Sequence, residues 1–188
     1  MPKVEANISM SLDGFVTGPH LDRHPGLGQH GEVLHAWLDE PGAMDFAIGE
    51  RRQVAGAVIT SRRVYEDTGG WGADGFYHLP VFVVTHRPHE RVVKGRTTFT
   101  FVTDGITDAV ERAKAASGGK LVHIMGGASI IQQALAAGLV DELFLHVVPM
   151  VLGDGTRLFD HLGGPVRLEQ TEVIDSGHVT HLRYRVLA

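Results

Sequence analysis

The chain contains no cysteine in its 188 residues. Disulfides, thiol catalysis and cysteine-ligated zinc or iron–sulfur centres are excluded at once. It also lacks any apolar run close to the ~20 residues that a membrane helix requires. The opening MPKVEANISM has none of the basic-then-apolar layout of a signal peptide, so a cytoplasmic protein without a membrane partner is expected. No basic excess is present: 22 acidic residues oppose 17 basic ones for a net charge of −5, which argues against a nucleic-acid partner. No G-x-S-x-G elbow or other hydrolase signature occurs. Of the 17 basic residues 13 are arginine. A planar guanidinium grips phosphate through two parallel hydrogen bonds, so this bias favours a phosphorylated small molecule. The remaining composition, 43% hydrophobic and 21% charged, suits one globular domain over residues 1–188 with a substantial core.

The stretch LVHIMGGASIIQQALAAG, residues 121–138, runs from a buried strand through a Gly-Gly corner directly into a helix. Leu121, Val122, Ile124 and Met125 suit the strand. Ile130, Ile131, Ala134 and Leu135 recur at helical spacing, and Gly138 stands where a left-handed C-cap is wanted. A helix beginning near Ala128 aims its first unbonded N–H groups and the positive end of its dipole at whatever meets Gly126 and Gly127. No Cβ stands in the way there. The same residues also suit a tight corner that binds nothing, so the rest of the chain has to decide.

Alternation predicts a first strand over 3–10, the turn SLDGF at 11–15 and a polar loop from Thr17 to Gly31. Helical spacing appears at 32–38 and again from Ala43 to Val54. Strands are predicted at 55–60, 80–85 and 98–102, a helix after Ser61 as N-cap, a glycine-rich irregular stretch over 67–78 and an amphipathic helix over 108–116. Strands over 140–152, 167–176 and 179–187 follow, the last two joined by a turn at Ser176-Gly177. Apolar strands alternating with helices predict an α/β fold, a mostly parallel sheet covered on both faces and edged by an antiparallel C-terminal hairpin.

Gly26, Gly28 and Gly31 match G-x-G-x-x-G, but polar HLDRHP precedes them where that fingerprint wants a strand, so they are read as a decoy. His20, His24, His30, His35 and His78 lie in or near loops at spacings that match no metal-ligand pattern, and no metal is assigned. Ligands of an open α/β sheet bind at the carboxyl ends of its parallel strands. Three such ends carry Thr60-Ser61-Arg62-Arg63, Thr85-His86-Arg87 and Gly126-Gly127-Ala128-Ser129. Hydroxyls and three arginines beside a Gly-Gly corner suit a dinucleotide, although arginines after strands equally suit solvated caps.

The blocks NISMSLDGF, AVITSRRVYED, PVFVVTHRP, VHIMGGASIIQQAL and VDELFLHVVPMVLGDGTRLFD, in that order over nearly the whole chain, resemble the dihydrofolate-reductase fold. More closely, the chain is similar to the reductase domain of bifunctional riboflavin-biosynthesis enzymes, whose activity is 5-amino-6-(5-phosphoribosylamino)uracil reduction, and to stand-alone relatives. The resemblance implies a three-layer α/β/α domain with NADPH as cofactor. It implies that Gly126 and Gly127, with Ala128 and Ser129, face the pyrophosphate, a contact that a cis peptide would serve. Thr60, Ser61, Arg62 and Arg63, together with Thr85, His86 and Arg87, would hold the 2′-phosphate and its neighbours. Backbone around Ser9 would take the carboxamide, and Asp13, Gly14 and Val16 would border nicotinamide and substrate. Asp13 is the candidate for proton handling or substrate orientation, while Leu12-Asp13-Gly14 also reads as a plain turn. Trp37 and Trp71 are candidates to stack on the substrate or simply to pack, and Leu152 and Gly153 to line the far wall or serve only a turn. A homodimer through the C-terminal strands is implied as well.

The sequence departs from the pattern in three respects. Ser61 stands where glycine is usual. No acid in EVLHAWLDE matches the carboxylate that holds a pterin, and the basic side chains for a ribose phosphate are not evident. The expected activity is therefore NADPH-dependent hydride transfer to a C=N, C=O or conjugated C=C of a different small planar substrate. The alternatives are an NADP(H)-binding protein without turnover, and a histidine-ligated metalloenzyme on the 17–35 loop.

Overall fold

A computed structural model describes residues 1–44, 46 and 53–187. In chain order its strands are β1 (Val4–Ser11), β2 (Phe15–Thr17), β3 (Ala55–Ser61), β4 (Pro80–Val84), β5 (Val92–Lys94), β6 (Thr97–Val102), β7 (Leu121–Met125), β8 (Glu142–Val148), β9 (Thr156–Arg157), β10 (Arg167–Asp175) and β11 (Thr180–Leu187). The α-helices are α1 (Arg62–Asp67), α2 (Gly105–Ala116) and α3 (Ala128–Ala136). Nine strands form one sheet in the order β10-β11-β8-β1-β7-β3-β4-β6-β5, and β2 pairs with β9 in a small second sheet. The six central strands are parallel to one another. The β10–β11 hairpin adds two antiparallel strands at one edge and β5 one at the other.

The pleat of β1 explains how the layers form. Val4 and Ala6 register with Val122 and Ile124 of β7, on the face where α2 brings Ile106, Ala109, Val110 and Ala113 and α3 brings Ile130, Ile131, Ala134 and Leu135. Each of these larger side chains contributes about 1.5–3 kcal/mol by leaving water. The opposite face of β1 carries Glu5, Asn7, Ser9 and Ser11, a polar row with an aromatic cluster on either side. Leu34, Trp37 and Phe46 form one. Tyr65, Trp71, Phe76, Tyr77 and Phe99 form the other, over β3, β4 and β6.

Gly56 shows how tightly one face is closed. A Cβ there would lie 1.9 Å from the carbonyl oxygen of Ser117, just past α2, and the β3–β7 register shifts at this residue.

The segment 32–38 departs from expectation. It forms two short 3₁₀ helices, Gly31–Leu34 and Ala36–Asp39, divided at His35, instead of an α-helix. Leu34 and Trp37 are three residues apart, which a 3₁₀ turn eclipses onto one side, so both still reach the core. The helix expected over Ala43–Val54 lies largely outside the described residues. Strand β8 stops at Val148, short of the expected 152, where Pro149 removes a ladder donor. The short strands β2, β5 and β9 are too brief to show a period in sequence.

Candidate functional site

All six parallel strands end on the same side of the sheet, and three helices start there, α1 and α3 side by side. The Thr60 hydroxyl, fully buried, donates to the carbonyl of Met125 at 3.1 Å and so ties the end of β3 to the end of β7. The chain then turns through Gly126, whose φ is 55°, and a cis Gly126-Gly127 peptide into α3. A Cβ on Gly126 would find only Val64 Cγ2, at 3.7 Å. One on Gly127 would find Ser61 Oγ at 3.6 Å and Val64 Cγ2 at 3.8 Å. The beginnings of α1 and α3 therefore face one another across a corner that carries no side chain of its own. Gly127 is the N-cap of α3 and offers no side chain to its first N–H groups; the helix ladder begins with Ile130 and Ile131 donating to the Gly127 carbonyl. Unpaired N–H groups at such an end suit an anion.

Ser61 caps α1 by accepting from the Val64 N–H at 3.2 Å, which leaves its hydroxyl hydrogen available. Arg62 pairs with Glu66 at 2.9 Å and Arg63 with Asp67 at 3.3 Å, both at i,i+4 spacing. Such half-exposed pairs contribute a few tenths of a kcal/mol and exchange readily for a phosphate. Arg63 also reaches the carbonyl of Gly26, bringing the loop of formally matching glycines onto this rim. At the end of β4 the Thr85 N–H donates to the Val102 carbonyl, and its side-chain oxygen accepts from the Arg87 N–H at 3.1 Å, shaping the Thr85-His86-Arg87 turn.

Asp13, Gly14, Leu152 and Gly153 come together although some 140 residues separate them. The Asp13 carboxylate accepts from the Ser11 hydroxyl at 2.6 Å, from the Leu152 N–H at 3.1 Å and from the Gly153 N–H at 2.8 Å. The Ser11 hydrogen bond, followed by the two backbone donors, lowers its pKa to about 2. An acid so strongly ionised has no proton to give at neutral pH, and its three hydrogen bonds tie the turn after β1 to the Leu152-Gly153 segment. Arg157 adds to this clasp, donating to the Asp13 carbonyl at 2.9 Å with its guanidinium 4.3 Å from the Phe15 ring centre. Val16 turns its side chain into the main core, so only its backbone is left to face a ligand.

Beside this rim β1 extends past β7. It registers with β7 only as far as Asn7 but with β8 as far as Ser11, leaving Ile8 to Ser11 without a β7 partner. Ser9 sits in that notch, and its side-chain oxygen accepts from the indole N–H of Trp37 at 3.1 Å. Below it, His146 Nε2 lies 2.9 Å from Asn7 Oδ1, and His146 Nδ1 lies 2.7 Å from Nδ1 of His181. Trp37 packs against both imidazoles. Trp71 belongs elsewhere: it packs on Tyr77 and Phe99 in the second aromatic cluster. The structure does not bring the two tryptophans together. Nor do the loop histidines gather, since among the described residues no three His, Asp or Glu side chains converge.

Sequence reasoning missed Asn7, His146, His181 and Arg157. The signal available was a histidine inside an apolar strand, ELFLHVV, with a second on the paired strand.

The residues fit a dinucleotide: a bare backbone corner, two facing helix starts, a hydroxyl with its hydrogen available, two guanidinium groups in exchangeable ion pairs, and Arg87 at the end of β4. Known proteins resemble this chain over almost its whole length. The RibD C-terminal domain family matches residues 2–182. The chain is 37% identical over 189 residues to the uncharacterized protein YyaP of Bacillus subtilis (strain 168), covering 94% of this chain and 92% of that one. The structure of a putative riboflavin biosynthesis protein from Shewanella sp. PV-4 superimposes with a TM-score of 0.77 at 21% identity, over 99% of both chains. Dihydrofolate reductase from Enterococcus faecalis, solved with NADP(H), superimposes with a TM-score of 0.62 at 14% identity, over 99% of this chain and 97% of that one. At these identities the two structures show the fold alone.

Proposed function

The chain belongs to the RibD C-terminal domain family, and from that premise we propose that it is an NADPH-dependent reductase of a small planar substrate. The observation that carries this is the facing of α1 and α3 across the side-chain-free Gly126-Gly127 corner. In this reading the first N–H groups of α3 and the Ser61 hydroxyl hold the pyrophosphate. Arg62, Arg63 and Arg87, with Thr85 and His86, hold the 2′-phosphate. The β1 backbone around Ser9, open where β7 has ended, takes the carboxamide. Bound there, NADPH supplies the hydride for a C=N, C=O or conjugated C=C acceptor, and the protein supplies position. Asp13 keeps the Leu152-Gly153 wall in place and so orients the substrate without donating to it. Trp37, fixed by Ser9, offers the flat surface against which a planar ring rests. A homodimer through the C-terminal strands remains part of the proposal, supported by the mostly exposed edge strand β10, which among the described residues pairs with β11 alone.

Thermal unfolding with NADPH and NADH tests the cofactor site. NADPH at a hundred times its dissociation constant adds about 2.7 kcal/mol, and Arg62→Ala or Arg87→Ala reduces that gain. No stabilisation by either nucleotide ends the reductase proposal. Binding without NADPH oxidation by any carbonyl or imine supports a non-catalytic binding protein instead.

A further inference from the structure

Between the 37–46 segment and the turn of the β10–β11 hairpin lies a cleft of about 430 Å³, lined among others by Trp37, Glu40, Phe46, Ile174, His178 and His181. Its strand residues are Ile174 of β10 and His181 of β11, and none of the residues assigned to the phosphates lines it. We infer that this cleft is a binding site for a planar aromatic ring bearing an N–H donor, and that Nε2 of His181 is the atom that accepts from it. The cleft shares Trp37 with the substrate surface proposed above, but its acceptor, His181, has no part in that reading, so the inference goes beyond the reductase proposal and fails separately from it.

The hydrogen-bond chain through the histidine pair assigns that role. Asn7 presents Oδ1 to His146 Nε2 at 2.9 Å, and an amide oxygen accepts and never donates, so Nε2 of His146 carries a hydrogen. In a neutral imidazole the other nitrogen is then an acceptor. His146 Nδ1, 2.7 Å from His181 Nδ1, thus takes the hydrogen of His181. That leaves His181 Nε2 as a bare lone pair. Among the described residues nothing hydrogen-bonds to it, although the side chain is 98% buried, at 2% exposure, and lines the cleft. Burial first, and the nearby positive Arg183 second, hold the His181 pKa below the ordinary histidine value, which keeps this acceptor neutral.

An acceptor that opens onto a cleft can take a hydrogen bond there, and a ligand that donates to it gains a bond that a ring of the same shape without an N–H does not. The surroundings specify what carries the donor. Trp37 and Phe46 pack against the His181 ring, at 5.1 Å and 4.6 Å between centroids, making one end of the cleft aromatic. Glu40 and His178 lie together at the other end, 3.9 Å apart, where a polar substituent meets charge and solvent. The volume falls in the range of small-molecule sites and suits one or two fused rings.

Indole and benzofuran test this directly, being nearly isosteric with only the first carrying an N–H. Their affinities for the full chain are measured by calorimetry, and the binding histidine is identified from ring-nitrogen resonances in two-dimensional NMR. Indole is expected to bind at least about tenfold more tightly than benzofuran and to shift the Nε2 resonance of His181. Ile174→Trp fills the cleft from β10 while leaving every hydrogen bond of the histidine pair in place, and abolishes that binding. His181→Phe removes the preference for indole. Equal affinities, or binding that leaves the His181 resonances unmoved, overturn the proposal. The wild-type pair and Ile174→Trp decide it even where His181→Phe does not fold. Repeating the indole titration with NADPH separates this site from the cofactor rim: the His181 shift persists whatever the nucleotide does.

Discussion

The corner at Gly126-Gly127 and the histidine pair beneath Trp37 lie in the same sheet but are built in opposite ways. The corner is made of backbone. Its N–H groups, its positive φ and its lack of Cβ atoms come from consecutive residues. The histidine pair is made of side chains on β1, β8 and β11, and exists because register places Ser9 opposite His146 and His146 opposite His181. A backbone site tolerates change in its surroundings but not a methyl group in its own space. A side-chain site tolerates changes nearby but loses its structure with any one member.

Deleting a member of the buried pair has the largest expected effect on stability. His146→Ala removes the hydrogen bonds to Asn7 and His181 and the packing against Trp37 and Phe144. It is expected to cost about 2–4 kcal/mol in urea unfolding. The affinity of that variant for NADPH, measured where it remains folded, stays within about threefold, since no group of the rim is altered. A change of tenfold or more there contradicts the separation of the two regions.

Gly127→Ala is the converse. With φ −88° and ψ 179° the backbone suits any residue, and the new methyl meets nothing closer than 3.6 Å. Stability should change by less than about 0.5 kcal/mol. NADPH binding should weaken at least about tenfold, because the methyl occupies the approach to the corner. Unchanged affinity removes the corner from the cofactor site.

Two titrations give smaller effects. His181 has a folded pKa below its ordinary 6.5, for burial first and Arg183 second. The unfolded chain therefore takes up the proton first as pH falls. The stability due to neutral His181 is complete above pH 6.5 and is lost as pH falls from there through the lower folded value. His181→Asn should flatten that part of the stability curve, measured by urea unfolding between pH 7 and 5. Asp13 titrates near 2 against an ordinary 3.8, so the stability it lends is present above pH 3.8 and declines toward pH 2. Carboxyl NMR of Ser11→Ala should find the midpoint raised, and an unchanged midpoint denies the Ser11 hydrogen bond its leading part.

The legibility of these regions follows from the same contrast. Ser61 as a cap, the strand into Gly126 and the helix from Ala128 are local, and short-range steric and hydrogen-bonding rules suffice to see them. Asp13 was visible as a turn residue. Its carboxylate bonds to Leu152 and Gly153 were not, because nothing in either segment marks the other. Trp37 and Trp71 look alike in sequence, and only packing sends one to Ser9 and the histidines and the other to Phe99. His146 and His181 stood among apolar neighbours and offered no spacing to notice.

By itself the sequence determined the alternation of strands and helices, the side-chain-free corner and the absence of thiol and disulfide chemistry. These follow from periods of two and 3.6, from glycine's missing Cβ and from composition. Only the tertiary structure decided that α1 and α3 face each other, that the Asp13 carboxylate bonds to Leu152 and Gly153, and that the His146 and His181 rings meet at their Nδ1 atoms. Each depends on which strands are neighbours and in what register, and that is settled when the nine-stranded sheet closes around its core.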